Sequence, residues 1–256
     1  MRGPRPVGPP SSACRGYDSS AKVALQEPIS QPASHPPHSR ADLEQAVENV
    51  LWWPSALTLV VLGVAYSLVS ERLTLGPPRL VLGAVVIALA LLYLLRWRGL
   101  HTLRRLVAFA MLAILTLAVA ISAAFLLVSS SVADFSALEL LRDALLLWAS
   151  NILTFALWYW EVDGGGPVRR LLRGSPPSTD FAFPPQQQAA LSGNKALDWS
   201  PQLVDYLFLA FTSSSTFGPT DTLVMARRAK VLMMLQSSLS LIIFGGVVAR
   251  AVGNLH

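Results

Sequence analysis

Few residues in this chain could do covalent or metal chemistry. The four histidines are His35 and His38 near the start, His101 beside a basic stretch, and His256 at the last position. They have no metal-ligand spacing, and none falls within a hydrophobic segment where it could complete a Ser/His/Asp set. The single cysteine, Cys14, excludes an intrachain disulfide and a thiolate metal cage. There is no H-E-x-x-H and no phosphate-cradling glycine loop; "DGGGP" at 163–167 has no strand before it. The sequence therefore predicts no catalytic residues, no cofactor and no metal, and an enzyme is not expected. What remains is a run of hydroxyls, "AFTSSSTFGPTDTLVMARRAK", over 210–230. Hydroxyls in such density supply hydrogen bonds that irregular backbone needs, in water or at membrane depth.

The solvent decides which. Hydrophobic residues make up 53% of the 256 and charged residues 14%, with a mean hydropathy of +0.49. A soluble domain usually carries about 25% charge. The apolar residues also gather in five blocks of the length a bilayer demands, roughly 17–25 residues each. The net charge of +5 is placed between those blocks, which is the pattern of membrane topology and not of a nucleic-acid-binding face. The expected fold is all-α: a polytopic membrane helix bundle with about five transmembrane helices, a short re-entrant helix and a disordered N-terminal tail. The lipid bilayer is its first partner.

Along the chain, residues 1–38 are rich in Pro, Ser and Gly and read as a disordered tail. Residues 39–51 read as a short interfacial helix capped by Ser39, entering the bilayer at Trp52 and Trp53. Residues 52–161 hold four transmembrane helices, at about 52–70, 79–97, 106–130 and 137–161. Gly76-Pro77-Pro78 stops the first linker, and Trp158-Tyr159-Trp160 forms an interfacial belt. The basic loop at 96–105 is expected on the cytoplasmic side. Residues 162–200 form a hydrophilic linker in which "DFAF" docks on the protein. Residues 201–256 carry a half-helix opening at Ser200 (N-cap) and Pro201, a polar loop and the last transmembrane helix.

The apolar part of 201–215 reaches only about 20 Å at 1.5 Å per residue, against a hydrocarbon core of about 30 Å. A segment that enters and stops must continue in irregular backbone, which is tolerated at membrane depth only in a protein-lined or wet setting. The hydroxyls from Thr212 to Thr216 are expected to serve that loop. Asp205 either lines a permeation path or caps the half-helix. Asp221 either attracts cations at a mouth or braces the next helix. Asn151 is expected to bond across helices, and Arg142 and Asp143 to act structurally. Gln236, Ser237 and Ser240 share one stripe of the last helix and either line a cavity or join helices.

Half-helix, polar loop, full helix resembles the pore module of potassium channels. Thr216, Phe217, Gly218, Pro219, Thr220 and Asp221 resemble the filter text T-V-G-Y-G-D, with Thr216, Gly218 and Asp221 in register. Pro219 and Thr220 depart from it, since carbonyl-lined filters need a backbone that glycine permits. The resemblance implies a degenerate filter with Thr212, Ser215, Thr216, Phe217, Gly218, Thr220 and Asp221 as pore-loop residues and Asp205 as the pore-helix acid. The C-terminal text, including "ALWYWEVDGGGP", "DFAFP" and "RRAKVLMMLQSSLS", is also similar to an uncharacterised family of bacterial multi-pass membrane proteins. The implied function is a channel-like or transporter-like protein for an ion or small solute, in a bacterial plasma membrane and assembled as a homo-oligomer, because one half-helix per chain needs several chains around an axis. The alternative is a non-conducting structural or regulatory membrane protein. No nucleic-acid partner is expected.

Overall fold

The computed structural model describes residues 3, 40–74, 76–77, 79–98, 100–128, 136–167, 170, 180–192, 199–216, 218 and 221–253. The chain divides into Met1–His38 and Ser39–His256, and the second unit is described here. The expected disorder of 1–38, the Ser39 cap and the filter-like positions Phe217, Pro219 and Thr220 lie outside the described residues.

The described fold is all-α. Its helices are α1 (Arg40–Ser67), α2 (Arg79–Trp97), α3 (His101–Val128), α4 (Ala137–Val162), α5 (Pro184–Leu191), α6 (Leu203–Ser215) and α7 (Arg227–Gly253). Two-residue strands β1 (Phe181–Ala182) and β2 (Leu223–Val224) pair antiparallel. Four helices are long and apolar enough to cross a membrane: α2, α3, α4 and α7; Trp53–Ser67 of α1 is a shorter apolar segment.

Several boundaries differ from the sequence reading. The interfacial helix and first transmembrane helix are one continuous α1, which runs through Pro54. Proline inside a helix removes one i→i−4 bond, and the Pro54 carbonyl gains a second donor in the Thr58 hydroxyl at 2.9 Å. The basic text 101–105 belongs to α3 and not to a loop, because Arg and Leu favour helix and nothing there breaks it. The linker after α4 is structured by β1 and α5.

Helix α4 is the centre of the bundle and packs against α1, α3, α6 and α7; α3 also packs against α7 and α2, and α1 against α2. A capping box fixes its start: Glu139 N–H donates to Ser136 Oγ at 3.3 Å, and Ser136 N–H donates to Glu139 Oε2 at 2.9 Å. Nearby, Asp143 is fully buried and accepts the Ser70 N–H at 3.3 Å, and Arg142 donates to Asp143 Oδ1 at 2.9 Å and Ser70 Oγ at 3.2 Å. These contacts tie the far end of α1 to the start of α4, the structural role expected of the pair. Apolar packing divides by level. Tyr66, Val119, Leu126, Leu147 and Ile243 pack near the α4 start. Leu62, Val85, Leu115 and Leu157 join α1, α2 and α3 to α4. Phe155, Tyr159, Trp160 and Phe181 pack with Tyr206 and Leu209 of α6.

Gly246 lets α7 approach α3: a Cβ there would lie 3.1 Å from Leu126 Cγ, whereas one at Gly245 meets nothing within 4 Å. Replacing Gly246 by Leu is expected to overpack this crossing and cost about 1–3 kcal/mol, with Gly245→Leu near wild type. Thermal unfolding in detergent measures both, and equal losses would show that the α3–α7 approach is not tight.

Candidate functional site

The site is built from the end of α4 inward. After Val162 the chain turns through three glycines in succession, Gly164, Gly165 and Gly166, at φ 59°, 87° and 103°. Side-chain-bearing residues rarely hold such angles. A Cβ on Gly164 would also sit 2.7 Å from Arg170 Cγ. The turn brings Asp163 and Arg170 together beneath α6, and both side chains are buried.

Asp163 joins four segments. Its Oδ1 accepts the backbone N–H of Asp180 at 2.6 Å and of Phe181 at 3.3 Å. Its Oδ2 accepts the Tyr206 hydroxyl of α6 at 2.5 Å and lies 4.0 Å from Arg170 Nη1. Arg170 Nη1 donates to the Trp160 and Asp163 carbonyls at 2.9 and 2.7 Å, and its guanidinium stands 4.8 and 5.1 Å from the ring centres of Trp160 and Tyr206. Asp180 in turn accepts Gly164 N–H at 3.1 Å and is held by Arg228 of α7 through Nε at 2.7 Å and Nη2 at 2.6 Å. This two-pronged pair is a strong form of carboxylate recognition. As expected, "DFAF" docks: Phe181 and Phe183 are buried against Tyr206.

Helix α6 begins at Leu203, not at Pro201. Asp205 accepts the Gln202 N–H at 2.7 Å, so the cap forms at Gln202 and Pro201 stays outside the helix. This bond makes Asp205 a cap of the helix start. From there α6 runs beside α4 and α7. The hydroxyl run is not loop text over most of its length; it forms the last helical turns. Thr212 and Ser213 hydroxyls donate to the Leu209 carbonyl at 3.0 and 2.6 Å, Ser215 to Phe211 at 2.9 Å, and Thr216 to Thr212 at 2.7 Å. Such back-bonding lets a polar side chain satisfy itself on its own helix. The Thr216 hydroxyl also lies 3.0 Å from the Gly218 carbonyl, so its single proton has two acceptors within reach.

The tip of α6 is sewn to its neighbours by neutral groups. Ser214 and Ser240 hydroxyls meet at 2.5 Å, and Asn151 Nδ2 donates to Ser240 Oγ at 2.9 Å and the Gln236 carbonyl at 3.2 Å. Gln236 Nε2 donates to the Ala210 carbonyl at 2.7 Å while its Oε1 accepts the Tyr159 hydroxyl at 2.5 Å; Ser237 donates to the Ser213 carbonyl at 3.2 Å. Asn151 thus bonds across helices as expected, and Gln236 and Ser240 join helices. Asn151 lies 12 residues before Asp163, about 18 Å at 1.5 Å per residue.

Beyond the tip the chain returns. By Asp221 and Leu223 it lies beside β1 again, where Gln187 of α5 donates to the Ala182 and Asp221 carbonyls at 2.7 and 2.8 Å. Asp221 is exposed, accepts from the Thr222 hydroxyl at 3.3 Å, and stands too far before α7 to cap it. Of the expected site residues, Thr212 is buried in the seam, Ser215, Thr216 and Gly218 mark its inner end, and Asp205 and Asp221 sit at its entrance. The sequence reading missed Asp163, Arg170, Asp180, Tyr206 and Arg228 as a unit. Their signal was the acid followed by three glycines, a pattern that requires a left-handed turn.

Asp163→Ala is expected to leave the Asp180 and Phe181 N–H groups and the Tyr206 hydroxyl without their acceptor and to remove the carboxylate that faces Arg170, costing about 3–5 kcal/mol, or a fall of roughly 10 °C in melting temperature. Arg228→Ala should cost far less, because its side chain is 59% exposed. Similar losses for both would contradict the central place given to Asp163. Among the described residues, no three His, Cys, Asp or Glu side chains gather as a metal site. Compared with models of protein families, with curated proteins and with solved structures, the chain matches none.

Proposed function

We propose that this chain is a membrane-embedded, channel-like or transporter-like protein in which α6 enters the bilayer from the α4 C-terminal end and the chain turns back to the same end. The observation that carries this reading is the pair of anchors on α6. Tyr206 is bonded to Asp163 at the end of α4, and Ser214 meets Ser240 and Asn151 about 18 Å inward, yet Leu223 is again paired with β1. The order of a rising α4, a short α6, a return and a descending α7 supports the resemblance to a pore module. On this reading α1 supplies a fifth span, its apolar part being Trp53–Ser67. Assembly of several copies would bring the α6 tips together.

The orientation follows from charge. Arg96 and Arg98, Arg104 and Arg105, Arg170, and the Arg227, Arg228 and Lys230 cluster all lie at the end where α6 enters, while Arg72, Arg79, Arg142 and Arg250 lie at the other. Basic loops stay in the cytoplasm, so α6 opens towards the cytoplasm, opposite to the pore helix of a potassium channel. A bacterial plasma membrane as the location rests on the sequence resemblance alone. The second reading, a non-conducting structural or regulatory protein, is favoured by one observation: the Ser214, Ser240, Gln236 and Asn151 Nδ2 groups all find partners within a single chain.

With Cys14 replaced by Ser, cysteines at Arg98 and Met225 should react with an impermeant maleimide from one face of sealed vesicles, and a cysteine at Val128 from the other. Labelling of position 225 from the Val128 face would overturn the re-entrant path. Potassium, sodium and glycerol fluxes in proteoliposomes then separate the two readings: flux above protein-free vesicles supports transport, whereas no flux from a monomeric particle supports the non-conducting protein.

A further inference from the structure

Three polar atoms on one stretch of α4 lack a hydrogen-bond partner among the described residues although closed off from solvent: Trp148 Nε1, Ser150 Oγ and Asn151 Oδ1. Trp148 and Asn151 are three residues apart and so share a face of the helix. That face meets the tip of α6. The Trp148 ring lies 5.7 Å from Phe211 of α6 and 5.9 Å from Phe244 of α7, and the Asn151 amide nitrogen reaches Ser240, which touches Ser214. The amide nitrogen is held by Ser240 and the Gln236 carbonyl, which leaves the oxygen of the same carboxamide as the bare atom. Buried polar groups almost always have a partner, and a repeated exception at one level points to an occupant.

The chemistry of that occupant follows from what surrounds it. No Asp, Glu, Lys or Arg occurs in residues 144–160 of α4, 206–216 of α6, 231–249 of α7 or 106–128 of α3. An ion there would lose its hydration with no opposite charge beside it. An indole N–H only donates, which disfavours a cation; a carboxamide oxygen only accepts, which disfavours an anion. The two together require a molecule with both an acceptor and a donor. A water needs two to four such partners, and Trp148 and Asn151 supply two of them.

We propose that the α4 face at the tip of α6 binds a neutral small molecule carrying both a hydrogen-bond donor and an acceptor, water or a small alcohol- or amide-type solute, and not an ion. The proposal narrows the substrate class of the transport reading and rests on that reading only for how the molecule arrives. Its test is local. In the full chain in lipid nanodiscs, the ultraviolet resonance Raman spectrum of wild type minus Trp148→Phe isolates the indole N–H of Trp148. The expected band is that of a hydrogen-bonded N–H, and it should move to the free position in Asn151→Leu, which removes the second half of the site. A band that shifts with glycerol or urea identifies a solute, and one indifferent to both identifies water; either supports the proposal. A free N–H in wild type, a hydrogen-bonded band unchanged by Asn151→Leu, or a shift on adding potassium or sodium chloride would overturn it. Should Trp148→Phe not fold, wild type minus Asn151→Leu carries the same shift. Vesicle labelling at positions 98, 128 and 225 involves neither residue, so failure of the re-entrant path and failure of this site are separately visible.

Discussion

One buried carboxylate holds the second half of this protein together. Asp163 stands where α4 ends, and its two oxygens receive donors from the β1 segment and from α6, with the Arg170 guanidinium close by. A buried charge is costly unless such donors surround it, so the position fixes the geometry of everything that meets there. Through Asp180 the same junction reaches Arg228 and sets where α7 begins. The three glycines that follow Asp163 are the backbone condition for it, because only a left-handed turn brings Arg170 back over Trp160.

From that junction inward the bonding changes character. At the entrance it is charged and two-pronged; at the tip of α6 it is made of hydroxyls and amides. The change fits the surroundings expected of each. The buried charges at the entrance are offset by opposite charge and by N–H and O–H donors, whereas a neutral hydroxyl or amide needs only one or two partners in a dry interior. A helix of 13 residues gains little stability from its own length. Its place is therefore set by Tyr206, Gln236, Ser237 and Ser240, not by propensity.

Much of this was legible in the sequence. The α2 limits Arg79–Trp97 agree with the apolar block between Pro78 and the basic turn, and α4 with the block between the polar turn before it and Glu161. Hydrophobic length and punctuation suffice for such helices. Asn151 and the stripe of Gln236 and Ser240 stood out because polar residues are rare in apolar blocks. What could not be read was pairing at long range. Nothing local to Asp163 announces that its acceptor atoms serve residues 17, 18 and 43 positions later. The hydroxyl run was misassigned to a loop for a related reason: Ser and Thr signal both turns and self-satisfied helix ends, and the neighbour on α7 decides which.

The seam also has a consequence for biogenesis. Ser240 and Gln236 lie on α7, so the seam at the tip of α6 closes only once α7 has been made, whereas Tyr206 finds Asp163 on a helix made before it. Until translation has passed residue 240, Ser214 and the Ala210 carbonyl have no mate on α7. The junction at Asp163 can thus form before the inner seam does, and α6 is seated in two steps.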